Sequence, residues 1–308
     1  MESRKYEAVI RIAENGSITK TAEEMGYTQS GITQMLNSLE EELGLKLFAR
    51  TNKGAVATPE GAYLLPFFRE EQIWEERILQ ECSALQGVVA GEIRIGSLTS
   101  IAGALLPAVA GAFHSEYPDV KIRVLAMGDV ELRDSLISRK TDVIFLDMTV
   151  MGKCEVEFPV RHLFNDEIFA VVPKGNPLAR RKSVTLEELA EYPFLENTSS
   201  LDESFSNLNY IGDKAEELDL YTRFKIDDDL MLINMIQNNM GVSLAGETLV
   251  MNYPGKVASV SLEPKRYRPI AIGVMSEKHL SPVVKAFLET TDVVIKEEVP
   301  KMREKVKR

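Results

Sequence analysis

A predicted helix at residues 28–40 carries a row of side chains that can form hydrogen bonds with another molecule. One face of this helix presents uncharged polar groups, namely Gln29, Ser30, Thr33, Gln34 and Asn37. Such side chains both donate and accept hydrogen bonds, as the reading of base edges in the major groove of DNA requires. A helix face that only meets solvent more often carries pairs of Glu and Lys. The pattern indicates a recognition helix, and an ordinary polar helix face is the open alternative.

The residues before this helix supply the elements that would position it. Helical spacing of apolar residues predicts a first helix over residues 6–14, which Asn15-Gly16 ends. Ser17 is a suitable N-cap for a second helix over residues 18–25, and Thr28 caps the polar-faced helix after a short turn. Two helices joined by a glycine-containing turn predict a helix-turn-helix. A three-helix packing without a role in DNA binding is the alternative.

A two-stranded wing is predicted directly after these helices. Gly44 ends the polar-faced helix, and Thr51-Asn52-Lys53-Gly54 is a turn sequence between two short strands. Arg50 and Lys53 lie near the tip of this wing, where cationic side chains would contact phosphates. Thr58 and Pro59 then open a further helix.

The chain resembles the LysR-type transcriptional regulators over residues 16–61. The resemblance rests on an ordered, dense and correctly spaced set of residues: Gly16-Ser17-Ile18-Thr19, Ala22, Thr28-Gln29-Ser30-Gly31-Ile32-Thr33-Gln34, Leu39-Glu40, Leu43-Gly44, Leu47-Phe48-Ala49-Arg50 and Thr58-Pro59-Glu60-Gly61. It implies a bacterial regulator with a winged helix-turn-helix, a dimerising linker helix and an effector region of two α/β lobes. It also implies duplex DNA at a promoter or operator as a partner, with RNA polymerase as a further candidate partner and no cofactor.

The chain differs from the LysR-type pattern in the number and position of its basic residues. Many relatives carry Arg or Lys near the position of Gln34, whereas this chain has neither between Lys20 and Lys46. The whole chain has a net charge of −11, with 36 basic and 47 acidic side chains. We therefore expect a modest contribution from phosphate neutralisation, and binding that depends on base-edge contacts, the wing and several subunits on one DNA.

A long helix is predicted from Ala62 to about Leu85. An apolar seam runs along it through Phe67, Trp74, Ile78, Cys82 and Leu85. A helix between two domains has little of its own chain to cover such a seam, so a partner helix is the favoured interpretation and burial against the winged domain is the alternative. The family resemblance favours a dimer through these helices, and a tetramer beyond it.

The rest of the chain predicts an α/β effector region. Strands near residues 92–97, 121–126 and 141–146 alternate with helices and imply a parallel sheet, and a second set of strands and helices begins near residue 164. The family implies a fold like that of periplasmic binding proteins. The predicted domains are residues 1–60 for the winged helix-turn-helix, 61–90 for the linker helix, 91–162 with 268–308 for lobe 1, and 163–267 for lobe 2.

Ligands in such folds bind at the carboxyl ends of strands, between the lobes. The residues expected there are Ser97, Thr99, Ser100, Gly128, Asp129, Asp147, Thr198, Ser199 and Gly246. Hydroxyl groups at a strand-to-helix turn suit an anionic or polar group, and a simple helix cap is the alternative for Thr99 or Ser100. Relatives that bind carboxylates often place an Arg where this chain has Asp147. Asp129 and Asp147 at the mouth of the cavity would favour an amine or a neutral polar effector.

Other classes of function find little support in the sequence. Ser17-Ile18-Thr19-Lys20 matches one element of penicillin-binding enzymes, but the other two elements are absent, and the three histidines show no metal-ligand spacing. Cys82 and Cys154 are expected to be ordinary thiols. No leader or membrane span is apparent, so a cytoplasmic location is the expectation.

These observations predict a DNA-binding transcriptional regulator, not an enzyme, whose DNA binding responds to a small molecule between the two lobes. The rival interpretation is a small-molecule binding protein whose N-terminal helices make only protein contacts. The acidic net charge is the main support for that rival.

Overall fold

The computed structural model describes residues 2–51, 54–151, 158–198, 206–218, 220 and 222–306. The described residues form two compact units, one of residues up to 88 together with 137–140, and one of the remainder. The elements of the first unit are α1 (Glu2–Asn15), α2 (Ile18–Met25), α3 (Gln29–Leu43), β1 (Phe48–Thr51), β2 (Gly54–Ala57) and α4 (Pro59–Leu85).

The first unit contains the winged helix-turn-helix that the sequence predicts, together with α4. Its core joins α1, α2, α3 and the wing through fully or nearly fully buried residues that include Val9, Ile12, Ala22, Ile32, Leu36, Leu39, Leu47 and Phe48. The wing is the antiparallel pair β1–β2, in which Phe48 lies opposite Ala57 and Thr51 lies opposite Gly54.

Helix α4 has one buried face and one exposed face. Its first turns pack on the winged core through Phe68, whose ring stacks on Tyr6 with 5.1 Å between ring centroids. The apolar residues of the predicted seam lie on the other side, and Phe67, Trp74, Ile78 and Leu85 are exposed. The winged domain of the same chain therefore does not bury this seam.

The second unit contains the remaining elements: β3 (Gly91–Ser97), α5 (Thr99–Ala104), α6 (Leu106–Glu116), β4 (Val120–Ala126), α7 (Asp129–Ile137), β5 (Val143–Asp147), α8 (Met148–Met151), β6 (Val160–Val172), β7 (Ser183–Val184), α9 (Leu186–Ala190), β8 (Phe194–Asn197), α10 (Lys214–Glu217), β9 (Thr222–Ile226), α11 (Asp229–Gln237), β10 (Ser243–Gly246), α12 (Glu247–Asn252), β11 (Ala258–Val274) and α13 (Pro282–Val306). Its first half is a βαβαβ arrangement. Strand β3 pairs in parallel with both β4 and β5, as the sequence pattern predicts.

Two long antiparallel strands link the two halves of this unit. Near its carboxyl end, β11 pairs with β5 and with the start of β6, whereas near its start it pairs with the last residues of β6. Strand β10 in turn pairs with the last part of β6. Strands β6 and β11 are thus the two crossovers, and they pass each other where Arg268 lies opposite Asp166.

The sequence pattern predicts one helix at residues 101–114, a strand at residues 269–275 and a last helix at residues 281–295, and the structure differs from each of these. The single helix expected at residues 101–114 is two helices, α5 and α6, which meet near Leu105 and Pro107. Strand β11 begins at Ala258 and not near Pro269, and α13 continues past Ile295 because Val299 and Met302 are still buried. Among the helices that the structure describes, none is both long and apolar enough to cross a membrane.

Candidate functional site

Helix α3 begins and ends at the residues that the sequence marks. The Thr28 Oγ1 atom accepts a hydrogen bond from the Gly31 backbone N–H at 3.1 Å, and the Ser17 hydroxyl caps α2 in the same way from Lys20. Gly26 has φ 70° in the turn between the two helices, a left-handed conformation that suits glycine. These caps set where α3 starts relative to α2.

The polar face of α3 forms a shallow surface groove. The five predicted base-contacting residues line it together with Ser38 and Glu41. The hydroxyl groups make local contacts, since Thr33 donates to the Gln29 carbonyl at 2.8 Å and Ser30 lies 3.0 Å from the Thr28 hydroxyl. Within the described part of the chain, the amides of Gln29, Gln34 and Asn37 have no hydrogen-bond partner. All three side chains are exposed, so their donors and acceptors are accessible to a partner molecule.

Glu40 ties the wing to this helix. Its carboxylate is buried on the inner side of α3 and accepts hydrogen bonds from the backbone N–H groups of Leu47 at 2.8 Å and Phe48 at 3.3 Å. Lys46 Nζ lies 2.5 Å from the other carboxylate oxygen. Burial alone would raise the pKa of Glu40, but these hydrogen bonds outweigh it and hold the pKa below its usual value.

The start of α4 is fitted closely to the wing. The Thr58 hydroxyl accepts from the Gly61 N–H at 3.0 Å and donates to the Lys46 carbonyl at 2.6 Å. A Cβ atom on Gly61 would lie 2.1 Å from the Leu47 carbonyl oxygen, which is far inside contact distance. This close approach explains why the Thr-Pro-Glu-Gly sequence ends in glycine.

The predicted phosphate contacts are only partly described. The backbone of Arg50 lies in β1, but its side chain and the whole of Lys53 lie outside the described residues. Several other cations of this unit are paired with acids: Lys5 with Glu42, Arg11 with Glu7, Lys20 with Glu24 and Arg69 with Glu14. Cations paired in this way are less available to phosphates, which is consistent with the modest contribution from phosphate neutralisation that the sequence predicts.

The second unit contains a cavity of about 360 Å³ between its two halves. Of the predicted effector-binding residues, the structure places Thr99, Ser100, Gly128, Asp129, Thr198 and Gly246 on its walls. Ser199 lies outside the described residues. Helix α5 has no side-chain cap, so neither Thr99 nor Ser100 is held as a helix cap.

Two predicted lining residues lie behind the cavity wall instead. Ser97 is fully buried, and its hydroxyl donates to the Leu98 carbonyl at 3.1 Å. Asp147 is 1 % exposed; one carboxylate oxygen accepts from the Thr149 N–H, and the other lies 3.5 Å from Arg268 Nη1. Because β5 ends inside the sheet next to a buried cation, Asp147 is not the open acidic group at the cavity mouth that the sequence suggested.

Arg268 is the centre of a buried polar cluster at this cavity. Its Nε donates to Asp166 at 2.7 Å, Nη1 donates to the Tyr210 hydroxyl at 3.0 Å, and Nη2 donates to Ser100 and Thr248 at 3.1 Å and 2.8 Å. These partners come from α5, β6, α12 and the short 3₁₀ helix at Asn207–Tyr210. Burial greatly raises the pKa of Tyr210, so its hydroxyl stays protonated. The cluster links elements from both halves of the unit.

The same cluster requires glycine at position 246. A Cβ atom at this position would lie 2.2 Å from Asp166 Oδ2 and 2.7 Å from two nitrogens of Arg268. Gly246 therefore lets the end of β10 approach the ion pair, and its place on the cavity wall has this packing reason.

Several cavity residues were missed in the sequence. The main omissions are Arg268, Tyr210, Asn207, Asn197 and the acidic run Asp227-Asp228-Asp229. A charged residue directly before the apolar Pro269–Val274 segment was a usable signal for Arg268. The acidic run precedes an apolar helix and is easily taken for a capping sequence, and Asp228 does cap α11 by accepting from the Met231 N–H at 2.6 Å. Asp229 faces the cavity with a pKa that burial raises, opposed by a hydrogen bond from Asn197.

Both units match known families of domains. Residues 3–62 match the model described as "Bacterial regulatory helix-turn-helix protein, lysR family", and residues 86–292 match "LysR substrate binding domain". The chain is 28 % identical over 293 residues to the HTH-type transcriptional regulator YvbU of Bacillus subtilis, covering 94 % of this chain and 97 % of that protein.

Solved structures show the same fold over the full length. A full-length OxyR of Pseudomonas aeruginosa aligns with TM-score 0.73 at 19 % identity, covering 96 % of this chain and 94 % of the other. Full-length CbnR in complex with its target DNA aligns with TM-score 0.66 at 17 % identity, covering 96 % and 100 %. The two domain matches, in the order of the two structural units, show that the chain belongs to the LysR family of bacterial DNA-binding transcriptional regulators with an effector-binding domain.

Proposed function

We propose that this regulator reads duplex DNA through the groove on α3, as a dimer joined by α4, under the control of a small molecule in the cavity of its second unit. The observation that carries the proposal is the set of exposed amides of Gln29, Gln34 and Asn37, which have no partner within the described part of the chain. Base-edge recognition needs such unsatisfied donors and acceptors in fixed positions on a helix.

The side-chain types on α3 also favour particular bases. Gln and Asn form paired hydrogen bonds with the N6 and N7 atoms of adenine, whereas the common reader of guanine is Arg or Lys. Helix α3 contains neither basic residue. We therefore expect A·T pairs at the positions that Gln29, Gln34 and Asn37 contact.

The effector acts by a population shift in this proposal. Elements from both halves of the second unit meet at Arg268, so a ligand held between the halves favours one arrangement of them. A ligand changes DNA binding only when its affinity differs between the two arrangements of the subunits.

The test is binding to the promoter region beside the chain's own gene, compared with random DNA of the same length. Gln34→Ala should reduce the discrimination between the correct and a wrong base at one base pair of the site by about 1–3 kcal/mol of binding free energy. Lys53→Ala, if Lys53 contacts phosphate, should weaken both DNAs about equally and reduce the salt dependence. Gln86→Ala, at the end of α4, makes the same kind of substitution away from α3 and serves as the control.

Two results would contradict the proposal. Equal loss on specific and random DNA for Gln34→Ala would remove base reading from α3. The absence of any shift on the promoter region at low salt, with and without cell extract as a source of effector, would favour the rival small-molecule binding protein.

A further inference from the structure

The walls of the cavity in the second unit carry carboxylates from both of its halves. Asp129 and Glu131 come from the first turn of α7, which follows β4. On the opposite side, Asp227 and Asp228 lie between β9 and α11, and Asp229 is the first residue of α11. A ligand in the cavity therefore meets acidic groups from two directions.

Arg268 does not offset these charges for a ligand. Among the described residues that line the cavity, Arg268 is the only basic one. Its guanidinium has five N–H groups. Four of them donate to Asp166, Tyr210, Ser100 and Thr248, and the remaining one lies toward Asp147 at 3.5 Å. Two buried carboxyl groups, those of Asp166 and Asp147, lie beside this single guanidinium. No donor of Arg268 is left over for the carboxylate of a ligand.

The remaining surface of the cavity suits an organic molecule. Leu98, Met127, Leu244, Ala245 and Leu249 supply an apolar wall beside the carboxylates. A volume of about 360 Å³ is within the range of small-molecule sites and exceeds what a single ion occupies. A short hydrocarbon body can lie on this wall while a polar head reaches the acidic groups.

We propose that the effector is an organic cation, a small molecule with an ammonium or guanidinium head and a short apolar body. This inference rests on the proposed effector control and names the chemical class of its ligand. A cation between Asp129 and the 227–229 segment relieves repulsion between like charges on the two halves, so it favours the arrangement in which the halves are close.

The first experiment compares ligands that share a carbon skeleton and differ in charge. Alkyl amines, diamines and guanidines are tested by thermal shift and calorimetry on the full chain, beside carboxylates and alcohols of the same skeletons and beside magnesium chloride. Stabilisation by the organic cations alone supports the inference. Stabilisation by the carboxylates or alcohols, by magnesium alone or by none of the compounds overturns it.

The second experiment removes one charge without removing a helix cap. Asn caps helices about as well as Asp, so Asp228→Asn keeps the hydrogen bond from Met231 and loses only the charge. We expect binding of the best cation to weaken about tenfold, which corresponds to loss of one partly solvated charge interaction. Asp134→Asn is the matched control, because Asp134 is exposed on α7 and does not line the cavity. Equal affinity of wild type and Asp228→Asn contradicts the inference.

Failure of this inference differs from failure of the proposed function. Specific DNA binding by the wild-type chain is measured separately, without added ligand. If the chain shifts its promoter DNA but responds only to carboxylates, the regulator stands and the cationic effector is wrong. If cations bind but no DNA is shifted, the ligand class stands and the regulatory role is wrong.

Discussion

Arg268 and Asp166 show how one pair of residues connects the fold to its ligand cavity. They lie opposite each other where β6 and β11 cross between the two halves of the second unit. Both side chains are almost fully buried, so each depends on the other for charge compensation. Ser100, Thr248 and Tyr210 complete the hydrogen bonds of the pair. A pair of this kind fixes how the two halves meet, because both halves contribute partners.

Removing the guanidinium should leave an uncompensated buried carboxylate. Arg268→Ala is expected to lower the free energy of unfolding by about 3–5 kcal/mol. Adding Asp166→Asn to Arg268→Ala should raise stability, whereas Asp166→Asn alone should lower it, since the charge is harmful only without its partner. Urea denaturation of the full chain measures the three variants. Arg123→Ala, on the exposed side of β4, is the control and should change stability by less than about 0.5 kcal/mol. Equal effects of Asp166→Asn in both backgrounds would contradict this prediction.

At the scale of elements, the wing depends on a single carboxylate of α3. Glu40 accepts hydrogen bonds from the backbone N–H groups of Leu47, directly before β1, and of Phe48, the first residue of β1. Glu40→Gln keeps one acceptor and loses the charge, so it should destabilise the winged domain by about 1–2 kcal/mol at neutral pH.

This effect should depend on pH in a defined direction. The folded-state pKa of Glu40 is lowered, so its contribution is fully present above the unfolded value of about 4.3 and is lost as pH falls through the folded value. The stability difference between wild type and Glu40→Gln should therefore shrink in acid, as followed by circular dichroism against pH. Glu41→Gln, on the exposed side of α3, is the control. A difference that stays constant or grows in acid would refute the assignment.

Elements defined by local patterns could be predicted from the sequence, and those defined by distant pairing could not. Helices α1 to α4 have local caps and apolar periodicity, which is why their order and the wing were predictable. The first part of β11 is visible only through its pairing with β6, because Glu263-Pro264-Lys265 interrupts the local strand pattern. The two acidic residues that the sequence analysis assigned to the cavity mouth, Asp129 and Asp147, divide in the same way. Asp129 follows a strand that the sequence shows, whereas the role of Asp147 depends on Arg268, which is more than a hundred residues away.

At the scale of the whole molecule, the exposed seam of α4 predicts an assembly. Ile78 is 62 % exposed and Trp74 is 46 % exposed within one chain, so Ile78→Glu should not disturb the fold of the subunit. If α4 pairs with a second copy, this variant buries a charge in the interface and should weaken association by at least about tenfold. Sedimentation across a concentration series measures it, and Ile78→Leu is the control that keeps an apolar side chain. An unchanged dimer in Ile78→Glu would place the interface elsewhere.

Charge and assembly together predict the salt dependence of DNA binding. The net charge is −11, and the cations Lys5, Lys20 and Lys46 of the first unit are paired with Glu42, Glu24 and Glu40. If Arg50 and Lys53 are the phosphate contacts of each subunit, a dimer should show a slope of log affinity against log salt of about −4. Fluorescence anisotropy with promoter DNA at several salt concentrations measures this slope.

Glu42→Gln frees Lys5 and should make the slope steeper, whereas Glu297→Gln, on α13 in the second unit, should leave it unchanged. A wild-type slope beyond about −8 would show that cations other than Arg50 and Lys53 contribute most of the attraction.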